Sequence, residues 1–210
     1  MPLYQTISVT PDTTVYLWNV TESEAELSRD IELTENSTIR VHGMKSEIHR
    51  RGYLSIRHLL ALAGYTDNDL YYDEIGKPHL RDGTHISITH SGVFTGIIVG
   101  SRIAVGIDIE RQRQKILRIA NKFTPLKEYN SIVDDDALIR KLTIVWGAKE
   151  SLYKIYATKG ISFLQHIYIA DFEVGAQETT GKIEYDSTKS FYSIRFLEFE
   201  GYTCVYALKN

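Results

Sequence analysis

The chain has 210 residues, of which 43% are hydrophobic, and its formal net charge is −3. This length and apolar content suit one large globular unit or two small ones, and the mildly acidic balance argues against nucleic acid as the main partner. The single cysteine, Cys204, cannot form an internal disulfide. No stretch is apolar for long enough to cross a membrane, and the first residues lack the pattern of a signal peptide, so we expect a cytoplasmic protein.

The first half of the chain predicts a strand, two helices and several further strands. Thr14 to Val20 is rich in β-branched and aromatic residues, which favours a strand. Thr21 and Glu24 form a capping-box pattern that predicts a helix of about ten residues. A second helix is predicted from Ser46 to Ala63, with a glycine as its stop. Short strands are expected over 70–74, 86–90, 96–99 and 103–110.

The second half repeats this order. A long helix is predicted from Asp136 to Ala157, because apolar residues recur there at helical spacing. Strands are expected over 167–172, 182–185, 192–197 and 203–208. We therefore predict an α+β protein with a seam near residues 100–103, made of two similar α/β halves, 1–101 and 102–210, packed together.

The segment GIDIE, residues 106–110, places two carboxylates on one face of a strand. Side chains alternate along a strand, so Asp108 and Glu110 share a face. Two adjacent carboxylates on a partly buried face need protonation, a basic partner or a cation to offset their repulsion. Oxygen ligands at this spacing suit Mg²⁺. The plainer interpretation is an exposed face with two solvated acids.

The segment WGAKESLYK, residues 146–154, lies within the predicted long helix. Trp146, Glu150 and Lys154 are four residues apart and share one helical face. Glu150 could supply a third carboxylate to the same cation, and Lys154 could reach a phosphate bound to it. The alternative is an ordinary ion pair on a solvated helix.

Two shorter motifs occur in the first half. In THSG, residues 89–92, Thr89 and His90 lie where a predicted strand enters a turn, and their polar atoms suit a phosphate or an adenine edge. In GKP, residues 76–78, Lys77 lies on a turn that proline makes rigid, which favours a fixed cationic contact. Each motif alone is compatible with a purely structural role.

Basic residues concentrate in two runs. The first contains Arg40, Lys45, Arg50, Arg51 and Arg57, and the second extends from Arg111 to Lys127 without an acid. Such runs are often solvated faces, but two of them in a mildly acidic chain indicate local anionic partners.

Together, GKP, THSG, GIDIE and WGAKESLYK closely resemble the 4′-phosphopantetheinyl transferase superfamily, in its longer, monomeric type that activates peptide and polyketide synthetases. The signatures GxDxE and WxxKExxxK are both met, and the likeness extends over residues 45–165. It implies the fold of that family, with the two halves arranged as a pseudo-dimer. It also implies a holo-[acyl-carrier-protein] synthase activity, which moves 4′-phosphopantetheine from coenzyme A to a serine of an acyl or peptidyl carrier protein.

The resemblance also implies roles for individual residues. The acids that match its Mg²⁺ ligands are Asp108, Glu110 and Glu150. The residues that match its coenzyme A contacts are Arg51 at the 3′-phosphate, Lys77, Thr89, His90, and Lys154 at the diphosphate. Glu150 and Lys154 are the candidate catalytic residues. The basic run after GIDIE would receive the acidic helix of the carrier protein, and the first half would form a coenzyme A-binding wall.

The sequence departs from the family pattern at one position, and two other functions are compatible with its motifs. The family usually has an asparagine where this chain has Ser87, which leaves the hydrogen bonds of that amide unaccounted for. A metal-dependent nuclease could use a similar set of acids and a lysine. A non-catalytic module that binds coenzyme A or a carrier protein would also keep the binding motifs. Binding without turnover would favour the module, and nicking of DNA would favour the nuclease.

Overall fold

Two antiparallel sheets form the framework of the computed structural model, which describes residues 3–129 and 132–210. The chain divides into two compact units, Met1–Arg102 and Ile103–Asn210. Each unit is a mixed α/β structure with its own sheet and its own long helix. The expected pseudo-dimer packing of the two halves stays a prediction.

The strands of the first unit are β1 (Leu3–Thr10), β2 (Thr13–Asn19), β3 (Leu70–Tyr72), β4 (Pro78–Leu80), β5 (His85–Ser91) and β6 (Phe94–Gly100). Four of them form a sheet in the order β1-β2-β6-β5, and β3 and β4 pair as a separate hairpin. The strands predicted over 14–20, 86–90 and 96–99 are therefore confirmed as β2, β5 and β6.

The helices of the first unit are α1 (Glu24–Leu27), α2 (Glu35–Gly43) and α3 (Glu47–Leu62). The prediction of a helix from Ser46 to Ala63 is confirmed by α3, which buries one apolar side in the core. Just beyond the helix, Gly64 adopts a φ of 88°, a backbone conformation that glycine takes without steric cost.

The prediction of a ten-residue helix opened by Thr21 and Glu24 was wrong. The capping box is formed by Ser23 and Glu26, and α1 has only 4 residues. Helix α2 was not predicted, because its sequence ENSTIRVHG has β-branched residues and a weak apolar stripe. A tertiary contact stabilises its start: the backbone and hydroxyl of Thr34 both donate to the buried Asp67 at 2.8 Å.

The strands of the second unit are β7 (Val105–Arg111), β8 (Ile167–Ile169), β9 (Glu178–Tyr185), β10 (Thr188–Phe199) and β11 (Tyr202–Lys209). They form one antiparallel sheet in the order β7-β11-β10-β9-β8. All five were predicted, although β8 ends earlier than expected and β9 and β10 are longer. The helices are α4 (Lys115–Ile119) and α5 (Asp135–Tyr156). The predicted long helix is confirmed by α5.

Glycines allow α5 to lie unusually close to the sheet. A Cβ atom on Gly106 of β7 would lie 2.1 Å from the carbonyl oxygen of Ser151 on α5. A Cβ on Gly147 of α5 would lie 2.8 Å from a methyl group of Val205 on β11. Such distances are sterically impossible for any larger residue, so these two glycines set the approach of the helix to β7 and β11.

Each unit has its own apolar core. In the first unit, α3 packs over the sheet, and in the second unit α5 does the same. Among the described residues, no helix has the length and apolar character needed to span a membrane.

Candidate functional site

The acids of GIDIE lie on the face of β7 that α5 covers. Asp108 pairs with Val205 and Glu110 with Thr203 on the neighbouring strand β11, so both acids occupy one face of the sheet. Only 6% of the surface of Asp108 is exposed. The predicted shared face is therefore present, and it is covered, which removes the plainer interpretation of two solvated acids on an exposed strand.

Helix α5 presents the second group of predicted residues to this face. The Lys154 ammonium donates to Asp108 Oδ1 and to the carbonyl oxygen of Ile107, each at 2.8 Å. The indole N–H of Trp146 donates to Glu110 Oε1 at 3.3 Å. Side chains on one face of α5 thus donate these three hydrogen bonds to β7.

Burial and neighbouring negative charge raise the pKa values of two acids beside Lys154, Glu110 and Glu150. The pKa of Glu150 is raised to about 7, mainly by burial and also by the charges of Asp108 and Glu110, while Lys154 opposes the rise. Burial also raises the pKa of Glu110, again with a contribution from Asp108, while the Trp146 hydrogen bond and Lys154 lower it. Three acids are therefore coupled to one another with one lysine among them. We define Asp108, Glu110, Glu150 and Lys154 as the acid cluster.

The donor set of the acid cluster fits a hard divalent cation. It offers carboxylate oxygens only, and its negative charge exceeds the single positive charge of Lys154. Within residues 3–129 and 132–210, no three His, Cys, Asp or Glu side chains converge into a ready-made metal shell. Mg²⁺ usually takes only one or two protein carboxylates and completes its shell with water and substrate phosphates, so a closed protein shell is not required.

Lys149 lies outside the acid cluster, although it belongs to the same sequence motif. It is only 4% exposed, and its ammonium donates to the carbonyl oxygens of Phe163 at 2.6 Å and Ile167 at 2.5 Å. Its described bonds therefore fasten the segment between α5 and β8 to the helix.

Two predicted residues of the first unit lie on β5. Thr89 is buried, with 4% of its surface exposed, whereas His90 is exposed. The His90 ring meets the edge of the His49 ring, with 6.2 Å between their centroids. Alternation along the strand accounts for this difference, since neighbouring residues point to opposite faces.

His90 lines a cleft of about 310 Å³ that the sequence did not predict. Its walls come from α2, α3, β3 and β5 and include His49, Arg40 and Tyr72. The Arg40 guanidinium lies over the Tyr72 ring, 5.1 Å from its centroid. Arg40 belonged to the basic run, but its place beside His90 depends on α2, which the sequence pattern did not reveal.

Lys77 lies on a turn held by Asp73. The Asp73 carboxylate accepts hydrogen bonds from the backbone N–H groups of Ile75 at 3.0 Å and Lys77 at 2.8 Å. Gly76 adopts a φ of 83° between them. Burial lowers the pKa of Lys77, with an opposing contribution from Asp73. This turn is rigid because the backbone N–H groups of Ile75 and Lys77 both hydrogen-bond to the Asp73 side chain.

The first basic run is only partly available to a ligand. Arg57 is 4% exposed and forms an ion pair with Asp67, and Arg50 pairs with Glu24. Arg51 donates through Nη2 to the carbonyl oxygen of Val20 at 3.0 Å. Its buried Nε has no hydrogen-bond partner among the described residues. Two of the five predicted cations are thus committed to ion pairs within the unit.

The second basic run borders the acid cluster. Arg111, Arg113 and Lys115 line a cleft of about 300 Å³ together with Glu110 and Trp146. Arg118 and Lys122 are exposed further along the run, and the side chain of Lys127 falls outside the described part of the chain. A cationic cleft therefore adjoins Glu110.

Fold and site together define a mixed α/β protein with a buried surplus of carboxylates beside a lysine and a cationic cleft. Comparison with known proteins identifies the family. The model of the 4′-phosphopantetheinyl transferase superfamily matches residues 104–207, which include β7 and α5. The chain belongs to this superfamily.

A curated relative agrees with the family match. The chain is 31% identical over 127 residues to the 4′-phosphopantetheinyl transferase Sfp of Bacillus subtilis (strain 168). The match covers 56% of this chain and 56% of the relative.

Proposed function

We propose that the protein transfers 4′-phosphopantetheine from coenzyme A to a serine of an acyl or peptidyl carrier protein. The observation that carries this proposal is the surplus of buried carboxylates on β7 and α5, within the segment that matches the family. A diphosphate held by a divalent cation is the chemistry that such a surplus favours.

Asp108, Glu110 and Glu150 are the residues that would hold Mg²⁺. When bound, the cation would neutralise charge on the diphosphate of coenzyme A as the phosphorus–oxygen bond weakens. Lys154 supports the same task, because its ammonium is already fixed within the acid cluster by Asp108 and Ile107.

The reaction exchanges one phosphorus–oxygen bond for another. The serine hydroxyl oxygen attacks the β-phosphorus, the bond from that phosphorus to the bridging oxygen breaks, and 3′,5′-adenosine bisphosphate leaves with the bonding electrons. The serine proton needs an acceptor, and Glu150 is the candidate, since its pKa of about 7 suits a base at neutral pH. Its proposed roles as base and as metal ligand compete, because a carboxylate bound to a cation is a weaker base.

We assign the nucleotide end of coenzyme A to the first unit. His90 and Arg40 offer cationic or hydrogen-bonding groups at the 310 Å³ cleft. Lys77 is held on a rigid turn, and Arg51 has a buried N–H without a described partner. In this proposal Arg51 contacts the 3′-phosphate, and Lys77, Thr89 and His90 contact the rest of the nucleotide.

The carrier protein would dock on the second basic run. The exposed cations after β7 would attract the acidic helix that presents the serine, which increases the association rate more than the final affinity. The holo-[acyl-carrier-protein] synthase subtype, the cytoplasmic location and the monomeric state stay predictions.

Intact-mass spectrometry of an apo carrier protein tests the proposal. The carrier is incubated with the protein, coenzyme A and Mg²⁺, and a parallel sample contains EDTA. We expect a gain of one 4′-phosphopantetheine mass that EDTA abolishes. Coenzyme A binding without any mass gain on several unrelated carriers would favour a non-catalytic binding module instead.

A further inference from the structure

Trp146 connects the aromatic packing on α5 to one acid of the cluster. Its indole N–H donates to Glu110 Oε1 at 3.3 Å. The ring meets Phe123, which is fully buried, edge-on at a centroid distance of 5.0 Å. It also contacts Phe163 at 5.4 Å. Two phenylalanines on different segments therefore restrict the orientation of the indole.

Phe163 is itself held in place by α5. The buried ammonium of Lys149 donates to the Phe163 carbonyl oxygen at 2.6 Å, and the Phe163 ring also contacts Tyr153 at a centroid distance of 5.5 Å. A charged donor to a backbone carbonyl is a strong hydrogen bond in a buried setting. The support of the indole thus extends from Lys149 through Phe163 to Trp146.

A fixed indole determines which way the Glu110 carboxylate faces. With Oε1 bound to the indole N–H, the rotation of the carboxylate is restricted and its other oxygen is available for a further bond. Hydrogen bonds of this kind orient the acids that hold metals, and their loss weakens metal affinity without removing a ligand.

We propose that Trp146 is a positioning residue for the acid cluster, which orients Glu110 for a divalent cation through the indole N–H. This inference rests on the proposed function and goes beyond it, because it assigns a role to a residue that has none in that proposal.

The chain offers a matched control. It has 2 tryptophans, and Trp18 in the first unit also donates its indole N–H to a glutamate, Glu22, at 3.3 Å. Glu22 lies outside the acid cluster. Trp146→Phe and Trp18→Phe therefore make the same chemical change, the loss of one indole N–H beside one carboxylate, at two different places.

The test measures the Mg²⁺ concentration that gives half-maximal transfer onto an apo carrier protein. For Trp146→Phe we expect this concentration to rise about 10- to 100-fold, the usual effect of losing a bond that supports a metal ligand. The Michaelis constant for coenzyme A at saturating Mg²⁺ should stay close to that of the unmutated protein, and a melting curve shows whether each variant is folded. Trp18→Phe should leave the Mg²⁺ requirement and this Michaelis constant unchanged. An unchanged Mg²⁺ requirement in Trp146→Phe would overturn the inference.

A fluorescence titration keeps the inference testable if Trp146→Phe does not fold. In Trp18→Phe the one remaining tryptophan is Trp146, so its emission reports directly on the neighbourhood of Glu110. Addition of MgCl₂ in the presence of coenzyme A should change this emission with the same midpoint as transfer. No change across that concentration range would overturn the inference.

These outcomes are distinct from failure of the proposed function. If the unmutated protein transfers nothing, the proposed function fails before any variant is compared. If transfer is normal without divalent cations, the magnesium assignment fails and the role of Trp146 fails with it. If transfer needs Mg²⁺ but Trp146→Phe needs no more of it, only the inference is wrong.

Discussion

Each unit buries an aspartate, but the two aspartates have different surroundings. Asp67 in the first unit is 5% exposed, and its carboxylate pairs with Arg57 at 2.8 Å and accepts hydrogen bonds from Thr34 and Ser37. Asp108 in the second unit is 6% exposed and pairs with Lys154, but its charge also repels the carboxylates of Glu110 and Glu150.

The pKa directions show what this difference means. Burial acts to raise the pKa of Asp67, but its hydrogen bonds and the charge of Arg57 outweigh burial and lower the pKa overall. In the acid cluster, burial and like charge together raise the pKa of Glu110 and of Glu150. A buried charge that is paired and hydrogen-bonded is tolerated within a fold, whereas an unbalanced cluster costs stability and is typical of a functional site.

The largest expected effect comes from Asp108→Ala. Removal of this carboxylate should lower the transfer rate about 1,000-fold or more, since metal stabilisation of the transition state contributes several kcal/mol and each 1.4 kcal/mol is tenfold in rate. The intact-mass assay gives the rate, and a melting curve shows whether the variant is folded. Full activity in a folded Asp108→Ala protein would contradict the cation site.

The counterpart in the first unit is Asp67→Asn. It leaves the Arg57 guanidinium buried without a charged partner, so we expect the free energy of unfolding to fall by about 3–5 kcal/mol. Urea denaturation measures this change. Asp69→Asn is the control, because the described hydrogen bonds of the Asp69 carboxylate come from Thr66, three residues away, and their loss should matter much less. Transfer by the folded fraction should be unchanged. A stability loss no greater than that of the control would contradict the structural role of the pair.

The Asp67 pair also predicts a pH dependence. Because its folded-state pKa lies below the unfolded value of about 3.9, the pair stabilises the fold fully above about pH 5 and loses this effect as the pH falls through the folded-state pKa. The difference in unfolding free energy between the unmutated protein and Asp67→Asn should therefore shrink toward pH 3. A difference that grows as the pH falls would contradict the assigned direction.

A smaller effect is expected from Lys149→Met. The variant leaves the carbonyl oxygens of Phe163 and Ile167 without this donor, so the free energy of unfolding should fall by about 1–3 kcal/mol. Lys182→Met is the control, because the Lys182 side chain is 41% exposed and its pair with Glu184 is partly open to solvent, where such pairs contribute little. Equal stability of the two variants in urea denaturation would show that the buried bonds of Lys149 contribute nothing extra.

The smallest effect is expected from Arg51→Ala. If Arg51 contacts the 3′-phosphate, its loss should raise the Michaelis constant for coenzyme A about tenfold and that for 3′-dephospho-coenzyme A much less. Arg50→Ala, whose side chain is paired with Glu24, should not discriminate between the two substrates. Equal effects of Arg51→Ala on both substrates would remove the assignment.

Local patterns were sufficient to predict much of this molecule. The alternation in GIDIE placed Asp108 and Glu110 on one face, and the four-residue spacing placed Trp146 and Lys154 on one side of α5, as the structure shows. Helix α3 was equally clear, because its apolar stripe and its stop signal agree.

Features that depend on distant contacts could not be predicted. Arg57 looked like part of a cationic surface, but Asp67 and the start of α2 bury it. The cleft beside His90 requires α2, whose own sequence is a weak helix former. Lys149 adjoins Glu150 in sequence, yet only the course of the chain from 157 to 167 shows that its partners are backbone carbonyls.

Titration calorimetry of Mg²⁺ measures whether the acid cluster holds a divalent cation. MgCl₂ is titrated into the protein saturated with coenzyme A, and the same titration is run on folded Asp108→Ala. We expect one saturable binding event in the unmutated protein that is lost in the variant. Binding of Mg²⁺ with the same affinity in Asp108→Ala would contradict this expectation.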